Sequence, residues 1–195
     1  TVAAVQAAYV LMDRQATLAK VEELLADPAV RAADLVVFPE AFLPGTPIWI
    51  DGARIWDGDE QWFEMLADQA VVVPSEATDR LGSAAREAGV YLVIGVSERE
   101  PTGSTIYNTL LYFDADGNLV SETSPAGTTL YSYDDENRMI AVQRGADAWA
   151  YTYDAFGQRV ESRVNGITTR FTIDPIGFGN VVGEYDASGG LLARY

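Results

Sequence analysis

The first 111 residues alternate short, uninterrupted apolar runs with stretches of helical period. Val2 to Val10 is nearly all apolar and too short for a helix, which predicts a strand buried on both faces. In residues 14–26, Leu18, Val21, Leu24 and Leu25 recur at helical spacing, with Lys20, Glu22 and Glu23 on the other side. Asp34 then opens Leu35-Val36-Val37-Phe38, a second apolar strand closed by Pro39. Strand, helix, strand is the pattern of a parallel βαβ unit.

Residues 40–59 are rich in Gly, Pro, Trp and Asp and have no period, so a long loop is expected there. Helices follow over 60–70 and 75–88; the second has Pro74-Ser75 as its start, Gly89 as its stop, and an apolar stripe of Ala77, Leu81, Ala84, Ala85 and Ala88. Tyr91 to Val96 predicts a third buried strand and Tyr107 to Asp114 a fourth.

The pattern then changes. Asp114, Asp134, Asp154 and Asp174 stand twenty residues apart, each followed three positions later by Gly117, Asn137, Gly157 or Gly177. The residues before each aspartate alternate with period two, as in Leu130-Tyr-Ser-Tyr-Asp134 and Ala150-Tyr-Thr-Tyr-Asp154, which is the mark of strands with one buried face. Asp-x-x-Gly supplies a turn, and runs such as Arg138 to Val142 are the return strands, so a series of antiparallel hairpins is expected. A last Tyr185-Asp186 with Gly189 follows at a shorter interval. The expected division is therefore an α/β segment over 1–111 and hairpin repeats over 112–195. The aromatic residues of the hairpins read as cross-strand pairs.

Composition narrows the function. Apolar residues make up 48% of the chain, enough for a packed core. With 29 acidic against 13 basic side chains the net charge is -16, which repels phosphate backbones and anionic lipid surfaces, so neither nucleic acid nor membrane is an expected partner. No apolar run approaches the roughly 20 residues that cross a bilayer, and no leader pattern opens the chain at Thr1. The chain opens at Thr1 and stops at Tyr195 in mid-pattern, which reads as a fragment. There is no cysteine and no histidine, and Lys20 is the single lysine. Cysteine nucleophiles, Ser-His-Asp triads and Cys/His zinc sites are thereby excluded. No cofactor is implied. Asp114-x-Asp116-x-Asn118 begins like a calcium loop, but Leu119 and Pro125 occupy the positions where such loops carry Gly and Glu, so a hairpin turn is the expectation and no metal site is assigned.

One carboxylate stands out. Glu40 lies in Phe38-Pro-Glu-Ala-Phe-Leu-Pro-Gly45, at the carboxyl end of a strand expected to be parallel, where open α/β sheets place their ligand crevice. If Phe38, Phe42, Trp49 and Trp56 walled it, the carboxyl would be desolvated and pushed up toward the range useful for proton transfer. A loop glutamate pointing to water is the plainer alternative.

Four stretches resemble the nitrilase branch of the carbon-nitrogen hydrolases: Val2 to Ala7, Asp34 to Pro47, Gly89 to Val96, and Tyr107-Asn-Thr-Leu-Leu-Tyr-Phe-Asp-Ala-Asp-Gly117. They occur in order over residues 1–120; Thr46 stands where that pattern usually has Tyr. The resemblance implies part of an α-β-β-α sandwich, a small nitrile or amide as substrate, a cytoplasmic location, and a Glu-Lys-Cys constellation in which Glu40 matches the general base. The Lys would follow the Asp-Ala-Asp-Gly-Asn turn, where this chain reads Ser121-Glu-Thr-Ser-Pro125, and the Cys is absent. A base without a nucleophile forms no covalent intermediate.

The later segment resembles the YD repeats of Rhs and teneurin proteins, in Tyr131 to Arg138, Tyr151 to Arg159 and Gly179 to Tyr195. Residues 112–120 satisfy both patterns, so the expected junction falls there. Three readings follow: an inactive hydrolase segment, a structural or interaction module of hairpins, and a hybrid fragment, or chimera, with no evolved function. Because the sandwich would lack its second sheet, one sheet face would be uncovered unless the hairpins or another copy cover it, so either that packing or self-association is expected.

Overall fold

The computed structural model describes residues 1–51, 60–174 and 179–195. Trp56 and Gly177 lie outside them. The chain divides into two compact units, Thr1–Gly127 and Thr128–Tyr195.

In the first unit, helices α1 (Arg14–Ala26), α2 (Pro28–Arg31), α3 (Glu60–Gln69) and α4 (Glu76–Ala88) accompany strands β1 (Val2–Ala4), β2 (Leu35–Val37), β3 (Tyr91–Arg99), β4 (Ile106–Phe113) and β5 (Leu119–Ser124). The strands are ordered β1-β2-β3-β4-β5. The first three are parallel, with Ala3 beside Val36 and Val36 beside Leu92; β4 and β5 run antiparallel, with Ile94 beside Leu111. α1 starts because the Asp13 carboxylate accepts the Ala16 amide at 2.9 Å. α4 stops at Gly89, whose φ of 70° is left-handed and open to glycine at no steric cost.

Strand alternation and helix period meet in one core. Leu18, Val21 and Leu25 of α1 and Leu81 and Ala85 of α4 pack with Val36, Leu92, Ile94, Val96, Leu111 and Phe113 on one face of the sheet, all at 2% exposure or less. Each such Leu, Ile or Phe contributes about 1.5–3 kcal/mol by leaving water. The other face carries Leu35, Val37, Val93, Leu110 and Tyr112, all half-buried, and Tyr91 is 54% exposed. Beyond Ala4 the first apolar run departs from expectation. β1 spans three residues, not Val2 to Val10, and Val2 is 68% exposed. It ends the strand order, so only β2 pairs with it, and after the Val5 amide donates to Val37 the chain leaves the sheet to lay Tyr9 edge-on against Phe42.

The hairpin β4–β5 belongs to this first unit because its turn is locked onto α4. A Cβ on Gly82 would lie 2.3 Å from the Gly117 carbonyl oxygen, and one on Gly117 would lie 2.4 Å from that of Gly82. Two backbones meet there with no room for a side chain.

The second unit holds β6 (Gly127–Tyr133), β7 (Met139–Arg144), β8 (Asp147–Tyr153), β9 (Arg159–Val164), β10 (Ile167–Ile173), β11 (Val181–Asp186) and β12 (Leu191–Arg194). Successive strands pair antiparallel. Its turns are explained by single carboxylates. Asp134 Oδ1 accepts the amides of Glu136 and Arg138, Asp154 Oδ1 those of Phe156 and Gln158, and Asp186 Oδ1 those of Ser188 and Gly190, at 2.8–3.1 Å. The third residue after each aspartate takes positive φ: Asn137 at 58°, Gly157 at 78°, Gly189 at 87°. That is why only Asn or Gly stands there. The register slips by one beside the turn, between Ser132 and Tyr133 and between Thr152 and Tyr153, a bulge that strengthens the twist. The step at Asp174 is longer: its amide donates to Asn180, six residues on. The opposite turns are tight ones, with Asn165-Gly166 both at positive φ between paired Val164 and Ile167. On one face the Arg159 guanidinium lies 4.2 Å from the Tyr151 ring centre, and Arg138 lies 5.1 Å from that of Tyr153. Among the described residues no helix is long and apolar enough to cross a membrane.

Two outcomes are expected. Gly82→Ala, which helix propensity alone would favour by about 1 kcal/mol, instead lowers stability by about 1–3 kcal/mol in urea unfolding, because backbone must move to admit the methyl. The Ser188 hydroxyl, then the amides of Gly190 and Ser188, hold the Asp186 carboxyl below the ordinary carboxylate range. A depressed folded value stabilises above the unfolded value of about 3.9 and is lost as pH falls through the folded one, so Asp186→Asn flattens the acid limb of the stability profile below about pH 4 and leaves its neutral limb parallel.

Candidate active site

Glu40 leaves β2 by a short looped segment that is hydrogen-bonded to β3 at both ends. The Phe38 amide donates to Val93 at 2.8 Å and the Gly95 amide to Pro39 at 3.3 Å; past the loop, the Leu43 amide donates to Gly95 at 3.2 Å and the Ser97 amide to Leu43 at 2.8 Å. Glu40, Ala41 and Phe42 are therefore pushed out of the ladder, and Ala41 takes a positive φ of 44°. Such a conformation in a non-glycine residue is strained and persists because its flanks are fixed.

Gly95 makes the loop possible. A Cβ there would lie 2.6 Å from both the Ala41 amide nitrogen and the Pro39 carbonyl oxygen, and 2.7 Å from the Glu40 Cα. All three are backbone atoms, which cannot swing aside as a side chain can.

The loop divides its side chains by polarity. Phe38 and Phe42 turn into the helix-side core, at 2% and 0% exposure, with ring centres 5.1 Å apart. Glu40 is exposed, and its Oε1 accepts from Asn108 Nδ2. Of the two arrangements open in the sequence, the plainer one, a loop glutamate pointing to water, is the one found: the rings of Phe38 and Phe42 gain more by joining the core than by bordering the loop, and the kink at Ala41 sends the glutamate the other way. Trp49 is half-buried and lies 6.0 Å from Trp62, while Trp56 is outside the described residues.

Asn108 identifies the face on which Glu40 sits. It pairs with Ser97 and alternates with Thr109, which is buried on the core face, so Asn108 and Glu40 are on the face away from α1 and α4, with Val93, Leu110 and Tyr112. Lys20 belongs to α1 and is across the sheet from them. On β5 the positions paired with Tyr112 and Leu110 are Ser121 and Thr123, so no ammonium group approaches Glu40 from that strand. The site thus has a carboxylate acceptor and an amide that orients it, without a thiol or an amine.

Sequence reasoning does not single out Asn108 or Gly95, although both lie within the stretches that resemble the family; their pairing depends on register. Two further carboxylates are tied to β4: Thr109 Oγ1 donates to Glu98 at 2.6 Å and the Tyr107 hydroxyl to Glu100 at 2.7 Å. Asp114 has its oxygens committed to the amides of Asp116 and Asn118 and to Asn118 Nδ2, the bonding of a hairpin turn. Among the described residues no group of three or more acidic, His or Cys side chains could hold a metal ion.

Gly95→Ala is expected to lower stability by about 1–3 kcal/mol and to shift the side-chain amide resonances of Asn108, since the Glu40 loop cannot keep its place over a methyl group. Urea unfolding and a nitrogen-proton correlation spectrum measure the two effects, and an unshifted Asn108 signal contradicts the proposed fit.

The carbon-nitrogen hydrolase family model matches residues 1–148. An aliphatic nitrilase of Sinorhizobium fredii (strain HH103) is 44% identical over 120 residues, covering 59% of this chain and 38% of that protein. A bifunctional nitrilase/nitrile hydratase, NIT4A, of Nicotiana tabacum is 42% identical over 123 residues, covering 60% and 34%. Among solved structures, an amidase from Nesterenkonia sp. aligns at 20% identity with a TM-score of 0.43, over 71% of this chain and 46% of that one. The chain spans little more than a third of the length of these curated relatives. It belongs to the carbon-nitrogen hydrolase family.

Proposed function

We propose that this chain carries the general-base portion of a nitrilase-type hydrolase and does not by itself hydrolyse nitriles or amides. The observation that carries the reading is the state of Glu40: a solvent-facing carboxylate oriented by Asn108, on a chain with no cysteine and with its single lysine on the far side of the sheet. Glu40 can accept a proton. Without a thiolate there is no attack on the nitrile or amide carbon, and without an ammonium group the developing negative charge has no partner. The substrate class, a small nitrile or amide, rests on the carbon-nitrogen hydrolase family and on relatives described as nitrilases.

A second reading concerns Thr128–Tyr195. The recurring Asp-x-x-Gly/Asn turns and the Arg-on-Tyr stacking at Tyr151 and Tyr153 support a structural module of YD-repeat type, joined to the hydrolase segment at a hairpin, 112–120, that suits both patterns. A hybrid origin is consistent with that shared hairpin. The proposed division, 1–111 and 112–195 by sequence pattern, differs from the packing division because the Gly82–Gly117 contact ties the shared hairpin to α4.

Purified protein incubated with a simple aliphatic nitrile and with the corresponding amide is expected to release no ammonia above background, and intact mass is expected to show no acyl adduct. Turnover that disappears in Glu40→Gln would overturn the reading. For the repeat module, Asp154→Ala is expected to lower stability by about 1 kcal/mol, as loss of a cap does, with no loss of the first unit's near-ultraviolet signal.

A further inference from the structure

The turn between β9 and β10 is the two-residue loop Asn165-Gly166, closed by the pairing of Val164 with Ile167. Of the chain's five asparagines, Asn108, Asn118, Asn137, Asn165 and Asn180, this is the one followed by glycine. That neighbour matters chemically. The backbone nitrogen of the residue after an asparagine can attack the side-chain amide carbon, and any side chain on that residue obstructs the approach; glycine has none. The turn is also open to solvent: Asn165 and Gly166 are exposed, and a Cβ on Gly166 would meet no atom within 4 Å.

The Asn165 side chain is nevertheless held at both ends. Its Nδ2 donates to Asp147 Oδ1 at 2.9 Å and its Oδ1 accepts the Ala148 amide at 2.8 Å, while the Asn165 backbone amide donates to the Ala148 carbonyl at 2.8 Å. Asp147 and Ala148 open β8, so these bonds carry the amide sideways onto the neighbouring strand. To reach the Gly166 nitrogen, the amide carbon must turn forward along its own chain, and both side-chain bonds break when it does. The positive φ of Asn165, 49°, belongs to the same closed arrangement.

We propose that Asn165 is a site of spontaneous deamidation, gated by its bonds to Asp147 and Ala148. When the turn opens locally, the Gly166 nitrogen forms a bond to the Asn165 Cγ and gives up its proton, the Cγ–Nδ2 bond breaks, and ammonia leaves. Water then opens the cyclic imide at either carbonyl, leaving an aspartyl or an isoaspartyl residue. Reclosure is impaired in both. The donor to Asp147 has become a second carboxylate beside it, in a chain whose charge is already -16, and the isoaspartyl form also lengthens the backbone of the turn. The loosening of the β9–β10 hairpin is one-way. It is independent of Glu40 and of the proposed function.

The full 195-residue chain is kept in warm, mildly alkaline buffer as folded wild type, as wild type in guanidinium chloride, and as folded Asp147→Ala and Asp154→Ala, and peptide mapping by mass spectrometry follows amide loss at each asparagine. Asn165 is expected to convert ahead of the other asparagines in every sample. Conversion is fastest in guanidinium chloride, and Asp147→Ala converts about 3- to 10-fold faster than folded wild type, the effect of one net hydrogen bond on an opening equilibrium. Asp154→Ala, which disturbs a different turn of the same unit, keeps the wild-type rate. Another asparagine converting first, equal rates in folded and denatured wild type, or an unchanged rate in Asp147→Ala overturns the proposal. So does equal acceleration by Asp154→Ala, which makes the gate the unfolding of the whole unit. Should Asp147→Ala fail to fold, the folded and denatured wild-type samples decide.

Discussion

Packing of α1 and α4 against a single face of β2, β3 and β4 is the constraint from which the first unit follows. Leu18, Val21, Leu25, Leu81 and Ala85 leave water together with Leu92, Ile94, Val96, Leu111 and Phe113. With one face consumed by the core, whatever chemistry the sheet carries must stand on the other. Asn108, one residue from the buried Thr109, is on that side by strand alternation, and Glu40 joins it there.

Backbone contact without side chains completes the arrangement. Gly95 lets the Glu40 loop lie directly on β3, and the Gly82–Gly117 pair lets a hairpin turn seat directly on α4. Both contacts convert a local turn into a fixed part of the fold. The first holds a carboxylate in a defined place at the expense of a strained Ala41; the second explains why a hairpin that looks like the first of a repeat series is packed as the last element of the α/β unit.

The second unit obeys a different logic. Few of its side chains are fully buried, and its order comes from short-range bonds: one aspartate oxygen accepting two amides at the Asp134, Asp154 and Asp186 turns, a positive φ that Asn or Gly accommodates, and arginines over tyrosine rings. The turn bonds connect residues two to four apart, so they could be read from spacing alone. The long-range core of the first unit could be anticipated only as apolar stripes waiting for a partner.

Local features were therefore legible in the residues. The helices at 14–26 and 76–88 and the strands at 35–37, 91–99 and 106–113 follow from apolar period and capping, and the inventory of thiol, imidazole and amine groups follows from composition. The length of β1 was not legible, because Val5 to Val10 is apolar whether it extends a strand or packs Tyr9 on Phe42. Nor was the partner of Glu40: a loop glutamate pointing to water was the plainer reading of the residues, but only the kink at Ala41 and the register that brings Asn108 opposite Ser97 determined which side chain it meets. Sequence sets which groups exist and the period at which they recur, since both are covalent facts; the tertiary structure decides which of them meet, since that depends on which apolar faces exclude water together.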